Sequence, residues 1–139
     1  MEKEPKSGEV WLVNIDNVKG HQQGGIRPFL VLQNNIGNHF SPIIDGLTMT
    51  SSINKWNKNL PNHARYYAGE IEGLPKNTIL QAECHWHLNK TQFIKKLGTM
   101  NEEQLIRASV AMAHQNPISM LAYQNGVLKM ESFIQIASA

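Results

Sequence analysis

Apolar positions from Val10 to Ile15 alternate loosely and predict a first strand. From Asp16 to Gly25 the chain turns polar and glycine-rich, a long loop. Pro28–Gln33 carries an unbroken apolar run of strand length, Phe-Leu-Val-Leu, and Asn34-Asn35-Ile-Gly-Asn38 follows as a turn-rich segment. A third strand is expected over Ile43–Thr50, weakened at Asp45-Gly46, and then a second polar loop, Ser52–Asn62, with Trp56 inside it. Arg65–Glu70 and Thr78–Leu88 read as further strands, and Thr91–Leu97 as a short helix. The clearest helix spans 101–115. Thr99-x-x-Glu102 and Asn101-x-x-Gln104 each fit a capping box. Leu105, Ser109 and Met112 share one stripe with Ile106, Val110 and Ala113 beside it, and Pro117 stops the helix.

Several short strands, two long loops and a closing helix predict a mainly β fold with added α (α+β), a small, strongly bent, barrel-like sheet. At 139 residues the chain suits one domain with one core. Residues 1–7 read as a disordered lead and 8–116 as the domain. Residues 117–139 read as a C-terminal extension packing on the domain or on a dimer mate. Within it Asn125-Gly126 is a two-residue hairpin signal between apolar runs.

A formal charge of only +2 displays no basic tail, although a short single-stranded nucleic acid needs no more than local positive charge. The single cysteine, Cys84, excludes an internal disulfide and suits a reducing compartment. The charged start lacks an apolar signal core, and no run reaches membrane-spanning length. The expectation is a soluble, cytoplasmic protein with no membrane contact.

The candidate chemistry begins at Gly24 and Gly25, where the backbone can pass close to a ligand. Pro28 holds Arg27 extended, and its guanidinium offers a fork of donors suited to phosphate. Thr50 and Ser51 add hydroxyls one strand later, unless they simply end that strand. Along the fifth strand, period two sets Gln81, Glu83, His85 and His87 on one face and the more apolar Ala82, Cys84, Trp86 and Leu88 on the other. The first row reads either as a solvated sheet face or as an acid–base pair, Glu83 and His85, on a rigid element. Trp56 between Lys55 and Lys58 reads equally as a base-stacking platform or as a loop anchor. His21, His39 and His63 read as exposed loop residues. His85 and His87 could join a metal site with His63 as a distant third, but no Cys-x-x-Cys or His-Glu-x-x-His spacing accompanies them. No metal and no cofactor is expected.

Four segments in order, Gly8-Glu-Val-Trp-Leu-Val, Gly20-His-Gln-Gln-Gly-Gly-Ile-Arg27-Pro28, Val31 to Pro42 and Leu47-Thr-Met-Thr50-Ser51, resemble the MazF/PemK toxins of bacterial toxin–antitoxin pairs, from about Gly8 to about Gln115. The resemblance implies an SH3-like barrel of the MazF/PemK/CcdB kind with a C-terminal helix, assembled as a homodimer. It implies a metal-independent, sequence-specific endoribonuclease that cuts single-stranded RNA by 2′-oxygen attack, leaving a 2′,3′-cyclic phosphate and a 5′-hydroxyl. A cognate antitoxin would neutralise it. On this reading Arg27, Thr50, Ser51, Glu83 and His85 are the catalytic candidates. Gln23, Gly24, Gly25, His39, Lys55, Trp56 and His87 are the RNA-binding candidates. Two departures bear on the reading: Gln22 stands where some members carry a loop glutamate, and Cys84-His85-Trp86 replaces a Gln-x-Arg segment. The alternative class is a non-catalytic module of the same fold, a degenerate toxin or a gyrase-binding relative.

Overall fold

The computed structural model describes residues 3–15 and 25–126. Six strands, β1 (Glu9–Asn14), β2 (Ile26–Val31), β3 (Ile43–Thr50), β4 (His63–Tyr66), β5 (Thr78–Asn89) and β6 (Phe93–Thr99), form one sheet in the order β4-β5-β3-β2-β1-β6, with antiparallel neighbours throughout. The sheet is open, ending on β4 and β6, and it keeps the expected mainly β, barrel-like character with a closing helix. That helix is α3 (Glu102–Gln115). Of the two capping boxes in the sequence, the fold uses Asn101 with Gln104: the Asn101 side chain accepts the Gln104 N–H at 2.8 Å and Gln104 Oε1 accepts the Asn101 N–H at 2.9 Å. No helix of the described residues is long and apolar enough to cross a membrane.

Several sequence expectations give way to other structure. The turn-rich segment after Gln33 is a short helix, α1 (Asn35–Phe40), capped by Asn34, and the second polar loop contains α2 (Ile53–Lys58), capped by Ser52 and closed by Asn59 in the left-handed region at φ 48°. Neither helix has an apolar stripe, so periodicity carries no trace of them; the caps do. Thr91–Leu97 is not a helix. Asn89 caps a single 3-10 turn, Lys90–Gln92, and β6 then pairs with β1. Phe93 drives that choice: it is fully buried and meets Trp11 and Phe29 edge-on, with centroids 5.8 and 5.6 Å away. The Asn125-Gly126 signal ends a helical turn after α4 (Leu121–Gln124), with the Asn125 N–H bonded to Leu121 O, and the rest of that expected hairpin lies outside the described residues.

Both sheet faces carry core. Under α3 lie Val10, Leu30, Leu47, Met49, Leu80 and Ala82, together with Ala108 and Ala111 of the helix. The opposite face holds Trp11, Val13, Ile15, Phe29, Val31, Ile44, Leu88 and Phe93, with Trp86 packed against them. Ile106 and Val110, expected beside the apolar stripe of α3, stand exposed. α3 is also tied down by charge. Arg107 pairs with Glu70 and Glu103, donates to Arg65 O at 2.7 Å and lies over the Tyr66 ring at 4.8 Å. The Arg107 guanidinium holds the Glu70 carboxyl well below the usual range, at about 2.

These two cores expose a break in β5. Leu80 and Ala82 share parity with Trp86 and Leu88, yet they line opposite faces. A regular strand forbids this. Leu47 lies opposite His85 and Met49 opposite Leu80, so two residues along β3 span five along β5. The surplus between Gln81 and Cys84 is a bulge that turns the strand over.

Candidate active site

The bulge decides what Arg27 can meet. β2 and β3 pair as Phe29↔Thr48, Leu30↔Leu47 and Val31↔Gly46, and the same register carried further sets Arg27 across from Thr50. Thr50 lies opposite Ile79, and Ile79 opposite Arg65 of β4. Arg65, Ile79, Thr50 and Arg27 therefore form one row across four strands, on the face that carries Phe29. With neighbouring strands about 4.8 Å apart, the two arginine backbones stand roughly 14 Å from one another, with the Thr50 hydroxyl between them.

The Nε atoms of Arg27 and Arg65 are buried without a hydrogen-bond partner among the described residues. Arg65 is held from behind by Trp56, whose carbonyl accepts from Nη2 at 2.6 Å and whose ring lies 4.6 Å beneath the guanidinium. Among the described residues Arg27 makes no ion pair. Its environment is legible at Cys84, whose thiol burial and Glu83 push up while Lys55 and Arg27 pull it down; Thr48 also bonds to it. Cys84 therefore lies on the Arg27 face, with Lys55 of α2 close by. Thr50 is buried, its Oγ1 accepting the Ser52 N–H at 3.3 Å, which leaves the hydroxyl proton free to donate; Ser51 is exposed.

Beside this row stands a pair that the residue pattern did not foresee. His63, expected in an exposed loop, opens β4 opposite Gln81, and its imidazole is 97% buried. Its Nε2 lies 2.8 and 3.1 Å from the two oxygens of Glu83, while Nδ1 is buried without a partner among the described residues. A buried imidazole thus clamps a carboxylate that keeps one side toward solvent. The signal was present, since His63 and Arg65 alternate with apolar Ala64 and Tyr66. It was obscured by Pro61-Asn62, which reads as turn.

The row expected along β5 is divided. Gln81 is buried rather than solvent-facing. Glu83 turns toward His63, whereas His85 shares a row with Leu47, and His87 one with Asp45, under the opposite face. The bulge is the physical reason, and within one chain it parts His85 and His87 from Arg27. Asp45, His85 and His87 instead cluster, with His85 bonded to Asp45 Oδ1 and the His87 Nε2 3.9 Å from the same atom. His39 sits on α1 against Glu4, near the Ile43 end of β3, roughly 23 Å of strand from Thr50. Trp56 is half-buried between Arg65, whose guanidinium lies 4.6 Å from its ring, and Tyr67, with ring centroids 5.3 Å apart. Gly25 adopts φ +94° with open space around it, and Gln23 and Gly24 lie outside the described residues.

Residues 6–115 match the family described as PemK-like, MazF-like toxin of type II toxin–antitoxin systems. The chain is 31% identical over 107 residues to the endoribonuclease EndoA of Bacillus subtilis strain 168, covering 77% of this chain and 90% of that protein. It is 30% identical over 107 residues to the endoribonuclease MazF of Staphylococcus epidermidis, covering 77% and 87%. Among solved structures, a crystal structure of MazF from Deinococcus radiodurans superposes with a TM-score of 0.67 at 21% identity, covering 81% of this chain and 96% of that one. A mycobacterial endoribonuclease in complex with its cognate antitoxin superposes with a TM-score of 0.61 at 18% identity, covering 79% and 92%.

Proposed function

The chain belongs to the PemK-like, MazF-like toxins of type II toxin–antitoxin systems, and from that premise we propose that it is a sequence-specific endoribonuclease cutting single-stranded RNA without a metal ion. The observation that carries the reading is the row of Arg65, Thr50 and Arg27 beside the His63–Glu83 pair. It joins two phosphate-binding cations, a hydroxyl and a carboxylate in one place.

In the proposed step a ribose 2′-oxygen attacks the adjacent phosphorus, and the bond to the departing 5′-oxygen breaks. Glu83 takes the 2′-hydroxyl proton; His63 fixes the carboxylate's orientation and stabilises its charge. Arg27 donates to the phosphate oxygens as negative charge gathers there, and Arg65, Thr50 and Ser51 support it. Water at this open face protonates the departing 5′-oxygen and Glu83 returns its proton to solvent, so the products are a 2′,3′-cyclic phosphate and a 5′-hydroxyl. Lys55, Gln23, Gly24 and Gly25 would guide the strand toward this face and carry sequence preference. We place His85 outside this step because it faces Asp45.

The partners follow from the same reading: a homodimer, and a cognate antitoxin that covers the RNA face; a mycobacterial endoribonuclease of the same fold is solved in complex with its cognate antitoxin. The purified chain, incubated with a long RNA in EDTA, should yield discrete fragments with cyclic-phosphate ends. Absence of cleavage across varied RNAs, with the protein shown folded, would overturn the proposal.

A further inference from the structure

The cluster on the opposite face has a chemistry of its own, independent of RNA cleavage. His85 and His87 stand two apart on β5, so strand alternation sends both imidazoles to one side. Asp45 lies directly across from His87 on β3. The rings of His85 and His87 come within 5.1 Å at a tilt of 38°, and the ligand atoms of all three residues lie within 4.8 Å of one another. Both strands are held by the core around them, with Leu47 and Ile44 buried on either side of Asp45. The three side chains themselves remain accessible: His85 is 47% exposed, His87 68% and Asp45 29%.

We infer that Asp45, His85 and His87 bind one divalent transition ion of the zinc(II) class. Two imidazoles and one carboxylate make a donor set that favours zinc, cobalt, nickel or copper over magnesium or calcium, which prefer oxygen ligands. Tetrahedral zinc with bonds near 2.0–2.1 Å needs ligand atoms about 3.3 Å apart. The present separations reach that arrangement by rotation of exposed side chains, with no movement of backbone. The ion would replace the His85–Asp45 contact and leave a fourth position open to water. Because the ligands come from β3 and β5, the ion would also brace the two strands on the Asn89 side of the bulge.

The test uses the full chain without a polyhistidine tag, stripped with EDTA and dialysed free of it. Titration with zinc chloride followed by calorimetry should give one ion per chain and a higher melting temperature. Cobalt(II) should develop visible absorption bands of a low-coordinate nitrogen–oxygen site, and magnesium should give no heat. His87→Ala and Asp45→Asn, both at accessible positions, should weaken binding at least tenfold, and His63→Ala should leave the stoichiometry unchanged. Absence of zinc binding to the folded wild type overturns the inference. So does zinc binding that survives Asp45→Asn and His85→Ala combined with His87→Ala, or that disappears only with His63→Ala.

Discussion

Replacing Arg27 separates function from stability in a way the structure makes specific. A surface or structural arginine contributes to stability through its partners. Arg27 instead has a buried Nε with no partner among the described residues, and a desolvated, unsatisfied donor costs about 1–3 kcal/mol. Arg27→Met keeps an apolar stem of similar reach and removes that donor, so folding should be unchanged or improved by up to about 1 kcal/mol, a melting temperature equal or a few degrees higher. Cleavage should move the other way. Loss of a donor aimed at developing phosphate charge costs about 2.7–4 kcal/mol, or roughly 100- to 1,000-fold in rate. Arg27→Lys should recover part of the rate, because a point charge cannot reproduce the fork. The assay pairs single-turnover cleavage of an end-labelled RNA with a thermal melt on the same preparation. The reasoning fails if Arg27→Met unfolds several degrees early, which would reveal a structural partner, or if it cleaves within threefold of wild type.

Four further outcomes follow. Glu83→Gln should lower the cleavage rate about 100- to 10,000-fold. His63→Ala should lower it less and shift the pH–rate profile, because it only orients Glu83; equal losses with an unshifted profile would argue against a positioning role. The depressed Glu70 carboxyl makes stability fall in acid: the folded value near 2 lies below the ordinary 4.5, so its contribution is complete above about pH 5 and is lost as pH drops toward 2. Glu70→Gln should flatten that part of the stability–pH curve measured by urea melts, and an unchanged slope would refute the linkage. Phe93→Ala should cost about 3–5 kcal/mol by the same melts, since the ring is fully buried between Trp11 and Phe29; a loss below 1 kcal/mol would show that helix propensity, not this contact, was the competing force at 91–97.

Much of this protein is legible in the order of its residues. Ile43–Thr50 is a strand with the expected bounds, and the helix after Met100 starts where Asn101 and Gln104 cap it. Both signals are local: apolar runs and capping side chains act within a few residues of themselves. Arg27 beside Pro28, and Thr50 with Ser51, stand out in the sequence as candidates for phosphate chemistry. What only the tertiary structure decided is which of these groups share a face. Strict alternation joins Glu83 to His85 and His87, whereas pairing with β3 inserts a bulge after Leu80 that sends Glu83 to His63 and the two histidines to Asp45. Phe93 is the same case, a residue in a helix-compatible stretch drawn into β6 by aromatic partners more than sixty positions away. A bulge is an agreement between two strands, and a buried ring answers to partners distant in sequence, so neither leaves a mark in the spacing of one segment.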